Sequence, residues 1–458
     1  MSLDLYYNPI SPSCRTVLLA AKAIGVDLNL KPLNILEGEQ LKPEFLKLNP
    51  QHTIPTLVDN DFSVWESRAI ITYLQNKYGK NDSLYPKEPK KRALVDQRLF
   101  FDLDLDSRFH QIYNRNTLGG ALPDPEKLKA ANESLEFLNT FLNETEFVAG
   151  DHLTLSDLSL VAQISTLDVM KHDLSPYKDI KRWYDKVRVT APGYKEANED
   201  NLIILKEMIE KFSKGHELLR KMLGIPTIST PANDIFDGKV RMALDLYYAP
   251  GSAPCRIVLL AAKAIGVDLN LKLLNLYEGE HLKPEFLKLN PQHTIPTLVD
   301  NGFVIWESRA IITYLQNKYG RIDSLYPKEP KKRAVVDQRL FFDMDFYFRL
   351  YQVYNRNTIG GGPPDPEKLK KANESLEFLD TFLNDSEFVA GDHLTLADLS
   401  LVVQISNLEV LKHDLSPYKN IRRWYDKVKV TAPGYKEANE DHLEVVREMI
   451  EKFSKGNK

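Results

Sequence analysis

The sequence predicts a small α/β domain followed by an all-helical domain, with that pair occurring twice in one chain. Three observations predict it. A long block of text recurs without insertion or deletion: LDLYY at 3–7 returns at 244–248, PQHTIPTLVDN at 50–60 at 291–301, and EKFSKG at 210–215 at 451–456. Within each block, the text up to Gly79 or Gly320 mixes strand-like and helix-like patterns. Beyond DSLYPKEP (82–89) only helical patterns remain. The step from Leu3 to Leu244 is 241 residues, whereas a solenoid unit is roughly 20–50 residues, so each copy is a set of domains in its own right.

In the first copy LDLYY is a short apolar strand, and 13–24 (SCRTVLLAAKAI) has helical spacing and stops at Gly25, a natural C-cap. LNLKPLN (28–34) reads as a second strand, and KPEFLKLNP (42–50) as a helical turn closed by Pro50. TLVD (56–59) and DFSVW (61–65) form a hairpin about Asn60, and Ser67 to Tyr78 is a helix ending at Gly79. Helical patterns then run over Lys90–Asn114, Asp124–Leu142, Ser156–Met170, Tyr177–Val187 and Tyr194–Lys211. Thr154 and Asp157 are spaced as a capping box, as are Thr395 and Asp398. The domain limits expected are 1–82 and 88–214, then 244–323 and 329–455. A linker at 215–243 joins the copies, opening on HELLRKMLG and punctuated by Pro226, Pro231 and Gly238.

Sixty basic against 64 acidic residues leave a formal charge of -4, which disfavours nucleic acid as the main partner. Cys14 and Cys255 are the two cysteines, one at the same place in each copy. So few cysteines favour a reducing, cytoplasmic setting, and one per copy excludes a CxxC redox pair and a cysteine-based zinc site. No basic segment followed by an apolar run opens the chain, and no stretch of about 18 apolar residues occurs, so neither a signal peptide nor a membrane span is expected.

Three loops carry candidate chemistry. Ser11 and Ser252 lie just before the first helix of their copies. Each is a helix cap on the plainest reading, and equally a hydroxyl aimed at an anion on the helix N-terminus. Cys14 and Cys255, in the first helical turn, read as buried small hydrophobes before they read as reactive thiols. In the second loop, Thr53-Ile54-Pro55-Thr56 and Thr294-Ile295-Pro296-Thr297, a trans proline is the base expectation. A cis bond would turn the isoleucine backbone outward to pair with an extended peptide. In the third, Trp65-Glu66-Ser67-Arg68 and Trp306-Glu307-Ser308-Arg309, the serine reads as an N-cap and Glu66 and Arg68 as a surface pair. The alternative is a receptor for an amino acid, with Glu66 taking an ammonium and Ser67 a carboxylate. Together the loops suit a peptide-sized, doubly carboxylated ligand lying across the strand ends, its central thiol near Ser11 or Ser252.

SPSCR at 11–15, SAPCR at 252–256, NPQHTIPTL at 49–57 and 290–298, WESRAI at 65–70 and 306–311, and AGDHLTLSDLSL at 149–160 with AGDHLTLADLSL at 390–401 sit in this order in both copies. In that combination each copy resembles a cytosolic glutathione S-transferase over its full length, of the insect-type delta and epsilon classes. The resemblance implies a thioredoxin-like domain followed by an all-α domain, glutathione as co-substrate, and no metal. It implies that Ser11 and Ser252 stabilise the glutathione thiolate, that Pro55 and Pro296 are cis, and that Ile54 and Ile295 bond the cysteinyl backbone. Glu66, Ser67 and Arg68, with Glu307, Ser308 and Arg309, would hold the γ-glutamyl end, and His52 and His293 the glycyl end or the thiol side. At a second glycyl position the second copy has His281 and the first Gln40, which implies weaker binding in the first.

The second substrate is expected against the helical domain, on a wall including Phe109, Tyr113 and Leu118 in one copy and Leu350, Tyr354 and Ile359 in the other. The implied reaction conjugates glutathione to small hydrophobic electrophiles in detoxification. Peroxide reduction, isomerisation and dehydrochlorination remain open. So does a non-catalytic role for one copy or a glutaredoxin-like use of the cysteines. The copies are expected either to form a pseudo-dimer within the chain or to pair with other chains.

Overall fold

The computed structural model describes residues 3–113, 123–209, 244–354, 356–359 and 361–456. Leu118, the linker at 215–243 and the last residues of the helical patterns that reach Asn114 and Lys211 lie outside them.

The first copy opens with β1 (Leu3–Tyr7), α1 (Pro12–Ile24), β2 (Asn29–Pro32), α2 (Pro43–Leu46), β3 (Thr56–Asp59), β4 (Phe62–Trp65) and α3 (Ser67–Tyr78). The helix α1 starts at Pro12, whose missing N–H costs nothing at a helix start, and ends at Gly25, whose φ of 81° suits glycine. The sheet order is β2-β1-β3-β4, with β1 and β2 parallel and the other neighbours antiparallel. Its register sets Tyr6 beside Thr56 and Thr56 beside Trp65. The end of β1, the start of β3 and the end of β4 therefore lie side by side at one edge, where the three loops emerge.

The helical part comprises α4 (Pro89–Ile112), α5 (Pro125–Leu142), α6 (Leu155–Val169), α7 (Lys178–Thr190), a π-turn at Lys195–Glu199 and α8 over 200–209. The π-turn had no signal in the periodicity. The capping box is present: the Thr154 amide donates to Asp157 at 2.8 Å. The same carboxylate accepts from the Val148 amide at 2.9 Å and from the Trp183 indole at 2.8 Å. Asp157 thus joins α6, α7 and the turn before them. Arg15, fully buried in α1, donates to Ser165 on α6 at 3.1 Å and to Asn198 in the π-turn, tying the two domains of the copy together.

The second copy repeats this as β5 (Leu244–Tyr248), α9 (Ala253–Ile265), β6 (Asn270–Leu273), α10 (Pro284–Leu287), β7 (Thr297–Asp300), β8 (Phe303–Trp306) and α11 (Ser308–Tyr319). Then follow α12 (Pro330–Val353), a short α13 (Arg356–Ile359), α14 (Pro366–Phe382), α15 (Leu396–Val410), α16 (Lys419–Thr431), a second π-turn and α17 (Asp441–Gly456).

The copies touch through their longest helices: α4 packs on α11 and β8, and α12 on α3 and β4. Phe100 stacks on Phe341 with ring centroids 4.5 Å apart. Around them Thr72 donates to Asp337 at 3.2 Å and Thr313 to Asp96 at 3.3 Å, while Tyr85 and Tyr326 cap the same two carboxylates at 2.6 Å.

Replacing Asp157 by Ala leaves four buried donors, the Val148 and Thr154 amides, the Thr154 hydroxyl and the Trp183 indole, without their acceptor. An expected loss of about 4 kcal/mol or more follows, since each orphaned buried group costs about 1–3 kcal/mol. Thermal unfolding of Asp157→Ala should show a lowered midpoint, and Asp398→Ala a comparable loss.

Candidate active site

The three loops meet at the shared edge of the sheet. With strands about 4.8 Å apart, the ends of β1, β3 and β4 span roughly 10 Å, the reach of an extended tripeptide. Ser11 is the N-cap of α1, and its hydroxyl oxygen accepts from the Cys14 amide at 3.3 Å. Ser252 does the same for Cys255 at 3.4 Å. The two readings of these serines are therefore compatible: the oxygen caps the helix while the hydroxyl proton remains available to an anion in front of it. Both cysteines are fully buried, and burial pushes their thiols up to about 11, so they stay protonated at neutral pH and act as small core side chains. That removes the basis for a glutaredoxin-like reading.

The bonds before Pro55 and Pro296 are cis, as the resemblance implied. The β1–β3 ladder begins at Thr56, leaving half-buried Ile54 just beyond it at the loop edge. Asn49 fastens this loop through Thr53 and Thr56, each at 3.0 Å.

The third loop departs from the sequence reading in two ways. Glu66, not Ser67, is the N-cap of α3, because the chain turns at Glu66 with φ 67°, and Ser67 is already helical. Glu307 repeats this with φ 68°. The first amides of α3 consequently face the sheet edge without helical partners. Nor do Glu66 and Arg68 form a surface pair. Arg68 is buried and its guanidinium grips Asp102 on α4 at 2.7 Å, where Ser159 also donates at 2.6 Å. Arg309, Asp343 and Ser400 repeat the arrangement, with Arg309 to Asp343 at 2.6 Å. Asp102 and Asp343 escaped sequence reading. Their signal was a carboxylate inside an apolar helical run, LFFDLD and LFFDMD.

Burial, and then the Asp345 carboxylate of the second copy, push Glu66 up to about 7. Burial and Asp104 of the first copy do the same to Glu307. Each glutamate thus senses the long helix of the other copy.

At the remaining edge the copies differ. Gln40 and His281 occupy matching 3-10 turns, Glu39–Leu41 and Glu280–Leu282. The His281 and His293 rings are 6.1 Å apart, and burial together with His281 lowers the His293 pKa. Each of His52 and His293 also meets a phenylalanine of the other copy, Phe378 at 5.7 Å and Phe137 at 6.0 Å. At Gly251 an added Cβ would lie 3.5 Å from Val445, so α17 comes close to the Ser252 loop, where the first copy carries Ile10. His442 of α17 stands edge-on to Tyr248, and Asn201 takes its position in the first copy.

The expected second-substrate wall is only partly open. Phe109 and Leu350 are buried in the core. Tyr113 and Tyr354 are half-buried and bond His172 and His413 at 2.8 and 2.6 Å. Ile359 is half-buried on α13, against α17.

A four-stranded sheet of this topology, a serine on its first helix, a cis-proline loop and a helical partner domain define a thioredoxin-like glutathione-binding unit, here present twice. The family model for the glutathione S-transferase N-terminal domain matches residues 1–76 and again 242–317. Two models for the glutathione S-transferase C-terminal domain match 113–191 and 363–429. A delta-class glutathione transferase of Nilaparvata lugens is 61% identical over 99% of its chain and 46% of this one, with a TM-score of 0.45. A Bombyx mori glutathione transferase is 44% identical over 99% of its chain and 47% of this one, with a TM-score of 0.44. An epsilon-class enzyme of the housefly Musca domestica is 36% identical over 98% of its chain and 46% of this one, with a TM-score of 0.41. By these family models and sequence identities, the chain belongs to the glutathione S-transferase family. It is a glutathione transferase that uses glutathione as co-substrate, and each relative corresponds in length to one of its two copies. No described helix is long and apolar enough to cross a membrane.

An ammonium seated against Glu66 or Glu307 requires the carboxylate. With a pKa of about 7, each carboxyl is largely protonated at pH 6 and must release its proton on binding; by pH 8 the proton is already gone. S-methylglutathione has no ionisable thiol. Its binding should release protons below about pH 7 and tighten as pH rises towards about 8. Calorimetry in two buffers of different ionisation enthalpy measures the release, and Glu66→Gln with Glu307→Gln should abolish it.

Proposed function

We propose that both copies are catalytic and unequal, each conjugating glutathione to hydrophobic electrophiles in cytoplasmic detoxification. The observation that carries this reading is that the Ser11 and Ser252 hydroxyl oxygens accept from the helix, while their protons have no acceptor among the described residues. A serine hydroxyl is too weak an acid to exist as a base at neutral pH, so it does not remove the thiol proton. It donates a hydrogen bond to the sulfur, and the helix N-terminus adds a favourable field. A thiol starts near a pKa of about 8.5; lowering it by about two units corresponds to roughly 2.7 kcal/mol and leaves most bound glutathione ionised at pH 7. The thiolate attacks an electrophilic carbon; either a halide leaves with the pair of the broken carbon–halogen bond, or the π pair of an activated double bond shifts onto its activating group and is protonated from water.

In this reading Ile54 and Ile295 hold the cysteinyl backbone beside cis Pro55 and Pro296. Glu66 and Ser67, with Glu307 and Ser308, receive the γ-glutamyl end. Arg68 and Arg309 act from behind, by fixing the start of the helix against α4 or α12. His52, Gln40, His293 and His281 serve the glycyl end, where the histidine pair gives the second copy the stronger grip. Tyr113, Tyr354 and Ile359 face the electrophile; Phe109 and Leu350 act from the core behind them. The unit of function is the two copies paired within one chain, supported by the stacking of Phe100 on Phe341 and the two hydrogen bonds that cross beside it, Thr72 to Asp337 and Thr313 to Asp96. The domain limits 1–82, 88–214, 244–323 and 329–455 follow the same reading.

Conjugation of a generic aryl halide by wild type, Ser11→Ala, Ser252→Ala and the double variant tests it. The double variant should lose about 10²-fold or more in turnover, in line with removal of a single transition-state donor, with little change in glutathione affinity. Ser252→Ala should cost more than Ser11→Ala. Full activity in the double variant would overturn the serine assignment. Sedimentation over a range of concentrations should give the mass of one chain throughout, and a mass that rises with concentration would refute the internal pairing.

A further inference from the structure

We propose that Gln97 and Gln338 are positioning residues that act across the two copies, each holding the glutathione-receiving loop of the other. The inference rests on the paired arrangement and on the assignment of Glu66 and Glu307 argued above.

The loop needs holding. Glu66 and Glu307 are β-carbon-bearing residues at φ 67° and 68°, a strained region that persists only where the surroundings over-determine it. The peptide entering that turn begins at the carbonyl of Trp65 or Trp306. In the first copy the Trp65 carbonyl accepts from Gln338 Nε2 of the second at 3.3 Å. In the second, the Trp306 carbonyl accepts from Gln97 Nε2 of the first at 3.2 Å. Both glutamines are buried, and each is oriented by its neighbour, which settles which end of the amide faces the loop. Arg339 Nη1 donates to Gln338 Oε1 at 2.6 Å, and Arg98 Nη1 donates to Gln97 Oε1. An arginine has no acceptor, so the glutamine oxygen must face it and the amide nitrogen must face the tryptophan carbonyl.

The arginines are fixed in turn. Arg339 lies over the Phe382 ring at 3.6 Å, and its Nε donates to the Val389 carbonyl at 2.9 Å. The Val389 amide donates to Asp398, the acid of the capping box, at 2.8 Å. A buried polar chain therefore runs from the capping box of one copy to the strained turn of the other, and its mirror image uses Asp157, Val148, Arg98 and Gln97. Such a chain sets where Glu66 and the first amides of α3 stand, and does so from the opposite copy.

The test uses full-length chains. Gln338→Met keeps the length of the side chain and removes the donor. In a Ser252→Ala background, where turnover reports the first site, it should raise the KM for glutathione about 3- to 10-fold with little change in kcat, as expected for loss of one buried hydrogen bond. In a Ser11→Ala background it should leave the KM of the second site within about 2-fold, which also shows that the second copy remains folded. Gln97→Met should give the reverse pattern. A second readout does not depend on the serines: amide exchange of the segment 65–70 should accelerate in Gln338→Met while that of 306–311 does not. Exchange that is unchanged in both segments, or equally accelerated in both, overturns the proposal whatever the serine variants show. A KM effect confined to the copy that carries the substitution overturns it as well. Activity retained in the double serine variant would instead indict the serine assignment.

Discussion

The left-handed turn at Glu66 and Glu307 is the constraint on which the rest of the architecture converges. A β-strand that ran straight into its helix would leave the first helical amides facing the core, and an acidic side chain beside them would have no reason to be there. Turning the backbone through φ 67° at Glu66 swings the N-terminus of α3 to the edge of the sheet, next to the cis-proline loop and the serine loop. The turn is unfavourable taken alone, so the neighbouring residues must offset it. The indole of Trp65 is held by Gln51 at 2.5 Å, the Ile70 amide closes on the Glu66 carbonyl at 2.9 Å, and Arg68 is locked onto Asp102. Every one of these has its equivalent in the second copy.

The lock between Arg68 and Asp102 illustrates how burial decides an ion pair's role. Both side chains are withdrawn from water, so each loses hydration that the pair only partly restores, and such pairs are poor sources of net stability. Their directional effect is larger. Asp102 sits on α4 of the helical domain and Arg68 in the first turn of α3 of the α/β domain, so the bond fixes the two domains in one register. Ser159 completes the acceptor's needs from α6. The same logic applies to Arg15, which spans α1, α6 and the π-turn. In both cases a charged group is buried where two domains must agree on one orientation.

Much of this was legible in the sequence where a local rule governs. Thr56–Asp59 and Ser67–Tyr78 fall where the alternation and the helical spacing put them, and Thr154 with Asp157 forms the capping box that the spacing implied. The candidate loops were legible because each carries a residue type that ordinary turns do not need. The misses share a different cause. Ser67 was read as a cap because serine is a common one, but the N-cap position went to a glutamate at positive φ, which no local propensity favours. The roles of Arg68, Asp102 and Gln97 depend on partners in other domains or in the other copy, separated by tens to hundreds of residues, and periodicity has no access to them. Phe109 shows the limit from the opposite side: an aromatic at helical spacing cannot be assigned to pocket or core until its neighbours are known, and its neighbours put it in the core.

Differences between the copies are not scattered evenly. Most contacts that join them recur in both directions: Phe100 with Phe341, Thr72 and Asp337 with Thr313 and Asp96, and Gln97 with Gln338, while the ion pair of Lys331 with Asp61 has no counterpart because Gly302 stands at the matching place. Changes fall in the serine loop, the 3-10 turn, the C-terminal helix and the end of the long helix, as Ile10 against Gly251, Gln40 against His281, Asn201 against His442 and Asp106 against Tyr347. A symmetric interface restricts both partners at once, because a change on one side must be matched on the other. The sites face ligands and carry no such restriction. Two separate chains with these differences would assort into like and unlike pairs. Joined in one chain, each copy meets its counterpart at a high effective concentration, so unlike sites are brought together in every molecule. The duplication thereby sets two unlike serine loops and two unlike 3-10 turns on one shared frame.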